Sequence, residues 1–223
     1  MLGAKGYAVC VNYLANRDRA NNVVDTIERN GGQAFACQAD VSSEADVIRL
    51  FDAAEEHFGE VTHLVNNAGI LFTQSKLVDI DLERFNQVLN SNVVSCFLCS
   101  REAARRFPAG SAIVNVSSLA SQTGSPFEYV DYAASKGAMD TLTKGLSREV
   151  AGSGIRVNAV RPGFIYTDMH ADGGEPGRVD RLAPQIPMQR GGSAEEVANT
   201  IAWLLSDEAS YVTGSFIDVA GGR

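Results

Sequence analysis

The run Tyr132-Ala133-Ala134-Ser135-Lys136, with the serine pair Ser117-Ser118 fourteen to fifteen residues upstream, is the part of this sequence best able to do chemistry. Within a helix a four-residue step returns to the same face, so Tyr132 and Lys136 are expected to project side by side. A phenol beside an ammonium becomes a usable proton donor or acceptor near neutral pH. Moving tyrosine from its ordinary value near ~10 to ~7 takes about 4 kcal/mol. One cation at ~4 Å supplies on the order of 4 kcal/mol at an effective dielectric of ~20. With six tyrosines and few lysines, the spacing arises by chance in roughly one such chain in ten, so its surroundings decide its meaning.

Elements must exist to position that pair, and 223 residues suffice for one well-buried α/β domain covering 1–223. A hydrophobic share of 45% and a charged share of 21% are ordinary for a globular protein. The net charge of −8, with no dense basic run, argues against nucleic acid as a partner. No apolar stretch approaches the ~20 residues of a membrane span. The start, Met1 to Tyr7, does not resemble a secretory signal, and a cytoplasmic location is the expectation. Cys10, Cys37, Cys96 and Cys99 read as buried small hydrophobes, and His57, His63 and His170 are too scattered for a metal site.

Strands are predicted at Ala8–Asn12, Gln33–Gln38, His63–Asn66, Ala112–Val116, Arg156–Val160 and Phe216–Val219. Helices are predicted over Asn16–Asn30, from a capping box at Ser43-Glu44-Ala45-Asp46 to Gly59, over Leu82–Arg106, Val130–Ala151 and Glu195–Leu205. Strands alternating with helices imply a parallel sheet covered on both faces. The stretch 168–190, rich in glycine and proline, is predicted to be an irregular lid or binding loop. Ligands of such sheets sit beyond the carboxyl ends of the strands. Asp40-Val41, Asn66-Asn67-Ala68-Gly69, Ser117-Ser118 and Arg161-Pro162-Gly163-Phe164-Ile165-Tyr166-Thr167 all fall there. Each alone could be ordinary turn chemistry; four at successive strand ends, around a Tyr–Lys helix, are hard to assign to turns.

These motifs, with Asn92, the run Ile113-Val114-Asn115-Val116-Ser117-Ser118 and the ending Thr213-Gly214 to Gly221-Gly222, resemble a short-chain dehydrogenase/reductase of the compact type. The resemblance covers nearly the whole chain. It implies a Rossmann-like doubly wound parallel sheet and hydride transfer between a nicotinamide cofactor and a small carbonyl or alcohol substrate. On it, Tyr132 exchanges the proton with the substrate oxygen, Lys136 lowers the tyrosine's pKa and holds the nicotinamide ribose, and Ser118 hydrogen-bonds the reacting oxygen. Asn92 supports a water leading protons from Lys136. Pro162, Gly163, Ile165 and Thr167 fall to the nicotinamide end, Asp40 and Val41 to the adenine, and Asn67, Ala68 and Gly69 to the ribose side. A homodimer or homotetramer is also implied, and the helices around Asn92 and Tyr132 carry apolar residues on more than one face.

Two expectations concern the cofactor. Asn12-Tyr13-Leu14-Ala15-Asn16-Arg17 has no acidic residue for a ribose 2′-hydroxyl, whereas Arg17 could meet a 2′-phosphate. Tyr13 and Arg17 are therefore placed at the cofactor, and NADP(H) is favoured over NAD(H). The family pattern also opens with a strand and a glycine-rich turn that receive the pyrophosphate, and neither is present here. Three readings stand open: the chain starts at an internal methionine of a longer protein, the reading preferred; it is a natural fragment that has lost cofactor binding; or it compensates by rearranging its sheet or by pairing between subunits. Residues 1–223 alone are expected to bind NADPH too weakly for useful catalysis.

Overall fold

A computed structural model describes all residues, Met1–Arg223. Six strands form in the predicted places: β1 (Ala8–Tyr13), β2 (Gln33–Gln38), β3 (His63–Asn66), β4 (Ala112–Val116), β5 (Arg156–Pro162) and β6 (Phe216–Val219). All pairings are parallel, but the strands make two sheets, β1-β2 and β3-β4-β5-β6. β1 pairs only with β2, and β3 only with β4, so each presents one edge without a strand partner. The two edges are neighbours, since Tyr7, just before β1, meets His63, the first residue of β3, edge-on at 5.1 Å between ring centres. The fold is thus α/β and Rossmann-like, with an open interval where the family pattern places its first strand.

β4 explains why the larger sheet is covered on both faces. Its alternate residues point in opposite directions. Ile113 joins Val157 of β5 in a cluster with Val47 and Phe51 of α2 (Glu44–Phe58) and Leu98, Cys99 and Ala103 of α4 (Ser95–Arg106). Ala112, Val114 and Val160 pack on the other face against Val197, Leu204 and Leu205 of α9 (Ala194–Leu205). The smaller sheet carries α1 (Arg17–Arg29), capped by the Asn16 side chain accepting from the Arg19 amide at 3.0 Å. No helix is long and apolar enough to cross a membrane.

Several local expectations need correction. Ser43 makes no side-chain cap on α2; the Asp46 carboxylate reaches back instead to the Asp40 amide at 2.9 Å. The capping box lies at Ser193 and Glu196, opening α9. The predicted helix over Leu82–Arg106 is three pieces: α3 (Leu82–Leu89), a π-turn at Asn90–Val94, and α4. The lid is not wholly irregular, because α7 (Met169–Asp172) and α8 (Arg178–Leu182) fall within it. Cys96 and Cys99 are buried, whereas Cys10 and Cys37 are only half-buried because their sheet is thinly covered.

Candidate active site

Tyr132 and Lys136 lie on α6 (Val130–Val150), whose first turns are almost wholly buried: Asp131, Tyr132, Ala133, Ser135 and Lys136 are all out of solvent. Alanine at 133 and 134 favours the helix and leaves room for close packing. The Lys136 ammonium donates to the Val116 carbonyl at 2.8 Å and approaches the Met139 sulfur at 3.4 Å. It lies 5.5 Å from the centre of the Tyr132 ring. Burial pushes this ammonium down to about 8, opposed by Cys96 and Asp140. Burial pushes the Tyr132 phenol up to about 12, and a hydrogen bond with Ser118 works against that rise. Burial is thus the larger influence on the phenol here, outweighing any lowering by the Lys136 ammonium over its ring.

Asn92 sits in the π-turn, fully buried. Its amide holds both backbone groups of Ile70: Oδ1 accepts from the Ile70 N–H at 2.7 Å, and Nδ2 donates to the Ile70 carbonyl at 3.0 Å. Nδ2 also donates to the Ser135 hydroxyl at 3.0 Å, one residue before Lys136. A π-turn in a helix frequently marks a functional position, and here it aims one side chain at both the turn after β3 and the Tyr–Lys helix.

That turn, Asn67-Ala68-Gly69, is drawn to the same place. A Cβ on Gly69 would come within 3.3 Å of Asn92 Oδ1 and 3.5 Å of Lys136 Nζ, which ties the glycine to the ammonium directly. Asn67 and Ala68 are exposed. Ser117 is buried and Ser118 half-buried, with Ser118 accepting from the Ala120 amide at 3.1 Å. The Leu119 amide donates to the Pro162 carbonyl at 3.0 Å, joining the serine turn to the turn after β5. Gly163 lies against Ala220, where a Cβ would meet backbone and side chain at 2.9 Å. Ile165 is buried and its carbonyl meets His170 Nε2 at 3.0 Å, whereas Thr167 is exposed.

The remaining cofactor candidates lie on the other sheet. Tyr13 ends β1, Arg17 opens α1, and both Asp40 and Val41 follow β2. The Asp40 carboxylate is occupied by Ser42, accepting from its amide at 2.9 Å and its hydroxyl at 2.6 Å, which leaves the backbone here as a rigid ledge. Arg17 is exposed. Arg19, one turn along the same helix start, forms an exposed ion pair with Asp168 at 3.1 Å and so links the smaller sheet's helix to the lid.

A dinucleotide fits the residues present in part. Gly69 forms a cradle that a Cβ would fill, and Lys136 lies at its wall. Tyr13, Arg17 and the Asp40-Val41 ledge stand beyond the smaller sheet. Two ion pairs next to the site, each joining a buried carboxylate to a half-buried guanidinium, have no local sequence signal: Arg84–Asp131 at 2.7 Å and Arg161–Asp140 at 2.9 Å. Their partners are brought together only by the packing of α3 or β5 on α6.

The whole chain, residues 1–223, matches a family model described as enoyl-(acyl carrier protein) reductase. An uncharacterized oxidoreductase, YgfF of Escherichia coli K12, is 61% identical over all of this chain and 92% of its own length. The 3-oxoacyl-[acyl-carrier-protein] reductase FabG of Staphylococcus epidermidis RP62A is 37% identical over 99% of this chain and 90% of its own. A solved mutant short-chain dehydrogenase/reductase of Serratia marcescens superposes with a TM-score of 0.91 at 36% identity, covering 99% of this chain and 89% of that one. The chain belongs to the short-chain dehydrogenase/reductase family of oxidoreductases.

Proposed function

We propose that this protein reduces a small carbonyl compound with NADPH. The observation that carries the reading is the convergence of Tyr132, Lys136, Ser118, Asn92 and Gly69 at the carboxyl ends of β3 and β4. A nicotinamide cofactor, when bound, supplies a hydride to the carbonyl carbon. The oxygen then gains negative charge and takes a proton, which Tyr132 provides. A phenol pushed up to about 12 is fully protonated at neutral pH, which suits the reducing direction. Ser118 orients the carbonyl oxygen beside that phenol. Lys136, at about 8, is largely charged at pH 7 and holds the ribose hydroxyls. Asn92 fixes Ile70 and with it the turn that would receive the ribose. Arg17 favours a 2′-phosphate over a free hydroxyl.

The test follows NADPH oxidation with ethyl acetoacetate, a β-keto ester chosen because one relative is named a 3-oxoacyl reductase. In a version that restores an upstream strand and glycine-rich turn, Tyr132→Phe is expected to lower turnover by ~10²-fold or more, with cofactor affinity little changed. Retention of a tenth of the rate would sink the proton-donor role. A second reading, a folded relative without catalysis, draws on the unpartnered edges of β1 and β3. It would be preferred if NADPH titration showed no binding at millimolar concentration. We also propose a homo-oligomer, because Leu82 and Phe97 expose apolar surface on α3 and α4 (72% and 44%). A monomer by light scattering at micromolar concentration would count against it.

A further inference from the structure

We propose that Arg84 is a positioning residue for the Tyr132 phenol and acts through Asp131. The proposal rests on the reduction chemistry above and deepens it. Asp131 stands in the first turn of α6, immediately before Tyr132, and its side chain is 1% exposed. Tyr129, at the cap position, makes no side-chain cap, so the first amides of the helix need another acceptor. Asp131 Oδ1 accepts from the Tyr132 amide at 2.9 Å. The other oxygen, Oδ2, accepts from Arg84 Nε at 2.7 Å.

Arg84 does more than neutralise that carboxylate. Its Nη1 donates to the Thr73 carbonyl at 2.8 Å, and the guanidinium lies over the Phe72 ring at 5.5 Å. Its own backbone amide donates to the cap residue Asp81 at 2.8 Å, which fixes where α3 begins. One guanidinium thus joins the start of α3, the start of α6 and the segment just after Ile70, the residue that Asn92 clamps. The Tyr132 backbone is set on one side by this joint, while Ser135, a turn later, is tied to Asn92.

A buried ion pair seldom out-stabilises an apolar pair of the same size, so its stability contribution does not explain its place here. Its directional value does. Apolar side chains further along α6, such as Met139, fill the core without fixing the rotation of the first turn. The planar Arg84 fork, donating from Nε to Oδ2 at 2.7 Å and from Nη2 to Oδ1 at a long 3.4 Å, does fix it. Misplacing a catalytic group by about 1 Å can cost ~10²-fold in rate, so the joint bears on turnover more than on folding.

The test compares Arg84→Met, Arg84→Lys, Asp131→Asn and the Arg84→Met/Asp131→Asn double variant. In ethyl acetoacetate reduction, Arg84→Met is expected to lower kcat by roughly 10- to 100-fold, with KM for NADPH within about twofold. Arg84→Lys should recover part of that loss, and the double variant should be no slower than the worse single one. An unchanged kcat, or a fall in kcat matched by an equal rise in KM for NADPH, overturns the proposal. Amide hydrogen exchange on the protein without cofactor gives a readout independent of turnover. In Arg84→Met the Tyr132 amide should exchange about tenfold faster or more, while amides near Met139 and Thr143 stay as they were. No change at Tyr132, or an equal change along all of α6, overturns it. Absence of turnover in the parent at millimolar NADPH bears on the proposed function alone, and the exchange result then decides whether Arg84 positions Tyr132.

Discussion

The two sheets of this protein are built from similar residues and end up in different states. Ala112, Ile113 and Val114 of β4 are completely buried, with a strand on each side and helices on both faces. β1 has an equally apolar sequence, Ala-Val-Cys-Val, yet no residue of it is fully buried. What separates them is neighbours, not composition. β4 is flanked by β3 and β5, whereas β1 has β2 alone. The same division runs through the candidate residues: Tyr132, Lys136, Ser118 and Asn92 stand beside the four-stranded sheet, and Tyr13, Arg17 and Asp40 beside the two-stranded one. The residues proposed for proton transfer are held by buried packing and hydrogen bonds, while those proposed for the adenosine rest on a thinly covered sheet.

The largest effect expected from this difference is on cofactor binding. A chain extended upstream of Met1 by a strand able to pair with β1 and β3, followed by a glycine-rich turn, should bind NADPH far more tightly than residues 1–223. Each phosphate hydrogen bond gained contributes ~1.5–3 kcal/mol, so a few of them amount to about three powers of ten. Fluorescence titration of both forms measures this. Micromolar affinity in residues 1–223 would mean that another group already serves the phosphates.

Stability should divide in the same way, with a smaller effect. Val114→Ala, in β4, is expected to lower unfolding free energy by roughly 2–3 kcal/mol in urea titrations. Val11→Ala, in β1, should cost about 1 kcal/mol or less, because half-buried positions lose less on truncation. Equal costs would show the two sheets to be equally well packed. In the extended chain the Val11→Ala cost should rise toward that of Val114→Ala.

Order, type and approximate length of all six strands were legible in the sequence because buried parallel strands are short apolar runs bounded by turn residues. The Tyr132–Lys136 spacing and the glycines at 69 and 163 were legible for the same local reason. What escaped was set by tertiary packing. The donor that the Asp46 carboxylate accepts from is the Asp40 amide, six residues back, and the capping-box pattern at Ser43 says nothing of it. The Arg84–Asp131 pair joins two helices whose contact no local pattern encodes. The pKa directions of Tyr132 and Lys136 also escaped, because spacing reports proximity and not how much water the fold removes.

The smallest predicted effect concerns the cofactor's far end. Arg17→Ala should narrow a preference for NADPH over NADH by about tenfold, as expected for one exposed cation facing a phosphate near the ~1 kcal/mol scale of surface ion pairs. Side-by-side kinetics with the two cofactors measure it. An unaltered ratio would assign Arg17 to nothing more than the solvated start of α1, and a preference for NADH in the parent would overturn the NADP(H) assignment.

The π-turn at Asn90–Val94 sets the phase between the two α-helical parts it joins. A helix advances about 100° per residue, so one residue more or fewer turns everything before it through more than a quarter circle relative to everything after. α4 is locked to the core by Leu98, Cys99 and Ala103, and α3 must therefore take its rotation from the count of residues between them. With that count, Val88 faces the interior, Arg84 faces Asp131 and Asn92 faces Ile70 at once. A strictly regular helix over the same span could satisfy the core on one side of the turn or the ion pair on the other, but not both. The length of this segment is thus a constraint in its own right, separate from the identity of any residue in it.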